Sequence, residues 1–128
     1  MLNYQSTDKF ESDFKRLLRK YKTLESDFEL FKRASVELLH LKNIDNKSCI
    51  PIEGFCSNRY RSYKVKKFTC KSMKNKGNRS GIRIIYVYDI NIQTIYFLEI
   101  YYHEKDDTNY DENNLKRFLK KLKTKNNE

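Results

Sequence analysis

Three runs rich in β-branched and aromatic residues lie between residues 60 and 103, and the rest of the chain is arranged around them. Residues 63–73 carry lysines among Val65, Phe68 and Cys70, a pattern that predicts a strand with one cationic face. Ile82–Asp89 and Thr94–Tyr102 follow, rich in Ile, Val, Tyr and Phe. A basic turn over 74–81 separates the first two runs. The short connection from Asp89 to Gln93 joins the second and third, which predicts an antiparallel meander. Residues two apart on a strand share a face, so Arg83, Ile85 and Val87 point one way and Ile82, Ile84, Tyr86 and Tyr88 the other. The same alternation groups Glu99, Tyr101 and His103 and leaves Tyr102 opposite.

Upstream, the apolar period changes from 2 to 3.6. Phe10, Phe14, Leu17, Leu18 and Tyr21 recur at helical spacing after a capping box of Asp8 and Glu11. Leu24, Phe28, Phe31, Leu38 and Leu39 define a second helix, capped by Thr23 or by Ser26 with Glu29. With only one or two residues between them, the two predict an antiparallel hairpin over 8–42, laid on the sheet through Phe14, Leu17, Phe28 and Phe31. Residues 43–59 contain the only proline, Pro51, together with Gly54, and read as a loop with a short extended piece at 50–55. At the other end Leu115, Phe118, Leu119 and Leu122 predict a helix near 110–123. An acidic turn over 104–108 precedes it, and Thr108 or Asp111 is the candidate cap. Lys116, Arg117, Lys120, Lys121 and Lys123 then fall in its C-terminal half, where the macrodipole favours cations. Residues 124–128 are expected to fray. The order predicts an α+β fold, with helices packed on a small antiparallel sheet of three to four strands.

Composition narrows the class. A chain of 128 residues suits one domain, 1–128, with a single core. A net charge of +10 and a pI near 9.5 imply a polyanionic partner. The 10 tyrosines and 8 phenylalanines add a second condition for nucleic acid, rings on which unpaired bases stack, although most must serve the core. Cys49, Cys56 and Cys70 are odd in number and lack C-x-x-C spacing. With only His40 and His103 as imidazole companions they argue against zinc, and neither metal nor cofactor is expected. The N-terminus has no signal-peptide apolar core and no run is long enough to span a bilayer. A cytoplasmic protein with reduced thiols and no membrane partner is therefore expected.

The helical segment FKRLLRKYKTLESDFELFK, the lead-in CIPIEGF, the run YKVKKFTCKSMKNKGNRSGIRIIYVYD and the closing TIYFLEIYYHEKDD together resemble RelE-type toxins of the RelE/ParE superfamily. The resemblance extends over nearly the whole chain. Its most specific part is the basic strand, the Gly-containing basic turn and the Arg-led apolar strand in succession. It implies the toxin of a type II toxin–antitoxin pair, which cleaves mRNA, usually in the ribosomal A site, and is silenced by a tightly bound cognate antitoxin. Members share a cationic concave sheet face, many with a His or Tyr near the end of the last strand. Those features fall here on Lys66, Lys67, Arg79, Arg83, Tyr101, Tyr102 and His103.

The chemistry can be weighed from the side chains themselves. Metal-independent RNA cleavage uses the 2′-OH as nucleophile. It needs a base for that proton, cations for the charge that develops on phosphorus, and an acid for the leaving 5′-oxygen. Arg83 is the candidate cation, its fork suited to phosphate oxygens; an ion pair with Glu99 is an equal alternative. His103 titrates nearest neutrality and is the candidate acid or base, against a solvent-exposed strand-end histidine. Tyr101 shares its face and can stack or donate a proton, although tyrosine in a strand more often packs in the core. Lys66 and Lys67 are adjacent and reach one substrate only across a bulge. Lys71, Lys74, Lys76 and Arg79 suit the RNA backbone, or form a solvated basic turn. A ParE-like gyrase poison and a non-catalytic RNA-binding module remain alternative functions.

Overall fold

In the computed structural model, described over residues 1–103 and 109–126, five strands form one sheet in the order β1-β5-β4-β3-β2. They are β1 (Asn3–Ser6), β2 (Cys49–Cys56), β3 (Tyr60–Val65), β4 (Ile82–Asp89) and β5 (Thr94–Tyr102). The three inner strands make the expected meander, with Tyr63 opposite Tyr86 and Arg83 opposite Tyr101. Both edges differ from expectation. β1 adds a parallel partner to β5, Asn3 beside Thr94. The extended piece near Pro51 is a full edge strand, irregular between Pro51 and Cys56, where an edge tolerates proline. The sheet is thus five-stranded and mixed rather than three- to four-stranded and antiparallel.

The first basic run also departs from expectation. The strand ends at Val65 instead of continuing to residue 73: Val65, Phe68 and Cys70 all enter the same core, and the three-residue step from Val65 to Phe68 is one that strand alternation would place on opposite faces. A single parallel bridge, Phe68 to Arg79, is all that remains of pairing.

The helices are α1 (Asp8–Lys20), α2 (Leu24–Phe31), a π-helical stretch (Lys32–Glu37), α3 (Leu38–Lys42) and α4 (Glu112–Lys125). Thr7, not Asp8, caps α1, its hydroxyl accepting from the Phe10 amide at 3.2 Å. Thr23 precedes α2 but makes no side-chain cap. Asp111 caps α4 through the Asn114 amide, and that helix begins at Glu112 rather than residue 110. The expected turn over 104–108, with Thr108 as alternative cap, lies outside the described residues.

Each sheet face carries its own core. On one, Phe10, Phe28 and Phe31 pack with Ile82, Ile84, Tyr86 and Phe97, joined by half-buried Phe14 and Leu17. On the other, Leu115, Leu119 and Leu122 of α4 cover Tyr60, Ile85, Val87 and Leu98. An extra residue in β5 allows this. Ile85 pairs Glu99 and Tyr86 pairs Phe97, so Leu98 is bulged toward α4 and the alternation of β5 changes phase there. Asp89, fully buried, ends β4. Arg59 donates to it from two nitrogens at 3.0 and 3.1 Å, and the Asn91 amide adds a third bond.

His40 of α3 sits among Tyr63, Tyr86 and Tyr88, 2.8 Å from the Tyr86 hydroxyl. Burial, with a smaller contribution from the Arg61 charge, lowers its pKa from 6.5 to about 4. The neutral ring is the native form, so its contribution to stability is complete above pH 6.5 and is lost as pH falls toward 4. Urea melts should show a loss of about 2 kcal/mol over that window, discounted for the ring's partial exposure. His40→Gln should remove most of that pH dependence.

Candidate nucleic-acid interface

At the end of the sheet where β4 begins and β5 finishes, an open groove of about 510 Å³ is lined by Lys66, Lys67, Lys76, Asn78, Arg79, Ser80, Gly81, Arg83, Tyr102 and His103. Arg83 is fixed first by its strand. β4 is buried at every other position, so the guanidinium emerges from a rigid element. Its Nη1 donates to the Lys66 carbonyl at 2.9 Å, which sets the direction of the fork and joins β4 to the chain leaving β3.

Because the strand ends at Val65, Lys66 and Lys67 escape the pleat's alternation and both line the groove, which strand geometry would have forbidden. The loop that follows is held without using its cations. Ser72 and Thr23 exchange bonds, from the Ser72 amide to the Thr23 hydroxyl and from the Thr23 amide to Ser72 Oγ, both at 2.9 Å. Buried Asp27 accepts from the Lys71 amide at 3.0 Å and from the Thr23 hydroxyl at 2.6 Å. Among the described residues, no ion pair engages Lys66, Lys67, Lys76 or Arg79. Such a cluster repels itself: the pKa of nearby Lys64 is lowered by burial first and then by the Lys66 and Arg83 charges.

His103 closes the groove, its backbone N–H donating to the Gly81 carbonyl at 2.7 Å. Gly81 has φ +86°, and a Cβ there would lie 2.9 Å from the Tyr102 ring and 3.3 Å from the His103 carbonyl oxygen. Glycine at this position is what lets the ends of β4 and β5 meet.

The structure brings together Arg83, His103, Lys66, Lys67, Lys76 and Arg79. Tyr101, opposite Arg83 in the register, does not line this groove; it packs beside the α4 core and, with Tyr102, Lys9, Asp13, Arg16 and Glu99, lines a second cleft. Burial, then the Glu99 charge, pushes its hydroxyl up to about 12. The ring in the groove is that of Tyr102, 6.4 Å from Tyr21. Strand alternation stops at Tyr102, the last residue of β5, so it does not extend to His103. Lys71 lines a neighbouring pocket, and Lys74 is exposed without lining either.

The Arg83–Glu99 ion pair does not form. The register puts Glu99 opposite Ile85, and its carboxylate accepts from the Asp111 amide at 3.2 Å and lies 3.5 Å from Lys9 Nζ. Burial raises its pKa above the usual carboxylate value, against lowering by that amide bond and by Lys9. Sequence reasoning missed Lys64, opposite Ile85 and so on the Arg83 face, whose ammonium lies 2.9 Å from Asn109 Oδ1. Alternation counted back along β3 was the signal. Cys49 and Cys70 are buried and Cys56 is exposed, all as free thiols. Among the described residues, no group of His, Cys, Asp and Glu is placed to hold a metal, and no helix is long and apolar enough to cross a membrane.

The groove presents separated cations, an imidazole and a phenol ring around an open channel. That donor set suits a phosphodiester chain, with guanidinium and ammonium groups for the phosphates and a ring for a base.

The fold belongs to a recognisable class. The crystal structure of an archaeal RelE–RelB complex from Pyrococcus horikoshii OT3 contains a similar chain, with a TM-score of 0.53 at 12% identity, covering 81% of this chain and 97% of that one. The protein therefore has the fold of a RelE-type toxin. No protein-family model matches its sequence, and no curated protein matches it.

Gly81→Ala tests the meeting of the two strand ends. It should destabilise the protein by about 1–3 kcal/mol through backbone strain, measured by urea denaturation, and should weaken binding of single-stranded RNA in the same variant.

Proposed function

We propose that the protein is the toxin of a type II toxin–antitoxin pair, a RelE-like endoribonuclease that acts in the cytoplasm on mRNA engaged by the ribosome and so arrests translation. The observation that carries this reading is the set of groove cations that, among the described residues, are free of ion pairs, built around the anchored Arg83 on a fold similar to that of a chain in a crystallised RelE–RelB complex. Arg83 stabilises the charge that develops on the scissile phosphate as the 2′-oxygen attacks. His103 transfers a proton, Lys66, Lys67, Lys76 and Arg79 hold the RNA backbone, and Tyr102 offers the stacking face. These groups supply the chemistry without a metal. A cognate antitoxin with an acidic segment that folds on binding would neutralise the groove and keep the toxin silent.

The decisive experiment is induction in a bacterial host with mapping of mRNA 5′ ends. New ends within translated codons are expected. Growth arrest with intact mRNA would favour a gyrase poison, and absence of any effect would contradict the proposal. In single-turnover assays Arg83→Ala should lower the cleavage rate about 100-fold or more while changing binding far less, as for loss of a preorganised electrostatic donor. Lys76→Ala should weaken binding, reduce its salt dependence by about one ion and leave the chemical step nearly unchanged. His103→Gln should lower the single-turnover cleavage rate while changing RNA binding far less, as for loss of a proton-transfer group.

A further inference from the structure

A second, smaller pocket adjoins the groove. It measures about 320 Å³ and shares Lys67 and Asn78 with the groove, so those two side chains form the ridge between them. Its apolar wall comes from Leu30, Phe31 and Ala34, with Leu30 44% exposed. That wall stands where α2 gives way to the π-helical stretch, a widening of the helix that often accompanies a binding site. Asn46 reaches across from the following loop. Its Nδ2 donates to the Ala34 carbonyl at 3.1 Å and to Ser35 Oγ at 2.9 Å, and its Oδ1 accepts from the Ser48 amide at 3.0 Å. The floor is therefore rigid, with Asn46 fully committed to it.

The opposite wall is different. Thr69, Asn78, Lys67 and Lys71 line the pocket, and among the described residues their side chains have no hydrogen-bond or ion-pair partner. An apolar wall with a hydroxyl, a carboxamide and two lysines around the same pocket offers a face to pack on, an edge to hydrogen-bond and charge for the adjoining phosphate. The carboxamide can both donate and accept, as reading a base edge requires. An acidic peptide would engage the Lys67 and Lys71 charges, but the pocket opens onto the groove across Lys67 and Asn78, so a base whose phosphate lies in the groove is the occupant that uses both at once.

We propose that this pocket holds one unpaired nucleobase of the RNA whose backbone runs through the groove, packed on Ala34 and Leu30 with its polar edge toward Thr69 and Asn78. The inference rests on the RNA-binding reading above and adds a base-recognition subsite to it. It makes the protein sensitive to base identity at one position flanking the bound phosphates, through side chains that are not part of the chemical step.

Abasic scanning of a short fluorescent oligoribonucleotide provides the test, by equilibrium anisotropy and independently of cleavage. With the wild-type protein, removing the base at one position should weaken binding about tenfold, the scale of a single stacked base, and removal elsewhere should matter less. Ala34→Leu fills the pocket from an exposed helical position compatible with folding, which a thermal melt verifies. It should weaken binding of the intact oligonucleotide by a similar factor and abolish the effect of the abasic site at that position. Asn78→Asp should change which base is preferred there. If Ala34→Leu binds the intact strand like wild type, or if the abasic penalty persists in it, the pocket holds no base. That result leaves the groove reading standing. Failure of the wild-type protein to bind RNA at low salt would overturn both.

Discussion

The burial of β4 from both sides is the constraint on which the rest depends. Seven of its eight residues are buried, Ile82, Ile84, Tyr86 and Tyr88 under the N-terminal helices and Ile85 and Val87 under α4. A slip of one residue would exchange the two sets and put Arg83 into the core, so the register is fixed from both faces. Truncating an aliphatic side chain there costs about 2–5 kcal/mol, a large part of the stability of a domain this size. The one position at which the strand emerges is Arg83. Its placement therefore follows from the packing of its neighbours, and a charge fixed in this way needs little reorganisation when it meets a phosphate.

The basic loop after β3 obeys the complementary rule. Residues 66–81 are fastened by buried Phe68 and Cys70 and by hydrogen bonds among Thr23, Ser72 and the Lys71 amide, with the Asp27 carboxylate accepting. None of these contacts engages a lysine ammonium. The repulsion among groove cations, felt at Lys64, is offset by the core and remains to be relieved by an anionic ligand. The same loop supplies one wall of both the groove and the neighbouring pocket, so in the proposed reading a single anchored segment would serve both backbone binding and base recognition.

What was legible in the sequence was the part governed by one periodicity at a time. β4 and β5, the positions of α1 and α4, and the facial split of β4 follow from spacing, whereas β3 coincides with the expected run only over Tyr63–Val65. The edge strands were not legible: β1 is four residues with no apolar alternation of its own, and β2 carries Pro51 and an irregular register. Ideal alternation makes an Arg83–Glu99 ion pair an equal alternative, whereas after the bulge at Leu98 the Glu99 carboxylate accepts from the Asp111 amide. Tyr101 was preferred over Tyr102 by extending the pleat one residue past its end. Lys66 and Lys67 show the same limit from the other side, since an early strand end admits both to the groove. These departures arise where ideal alternation is interrupted, by the bulge at Leu98 and by the ends of β3 and β5 that border the groove.

The measurement that bears most directly on the central claim is the chemistry of the RNA ends produced by the purified protein acting on translating ribosomes. Attack by the 2′-oxygen, with Arg83 stabilising the phosphate and His103 moving a proton, leaves a 5′-hydroxyl on one fragment and a 2′,3′-cyclic or 3′-phosphate on the other. The account predicts those ends with the wild-type protein and their loss with Arg83→Ala. Fragments bearing a 5′-phosphate and a 3′-hydroxyl, or cleavage undiminished in Arg83→Ala, would contradict it.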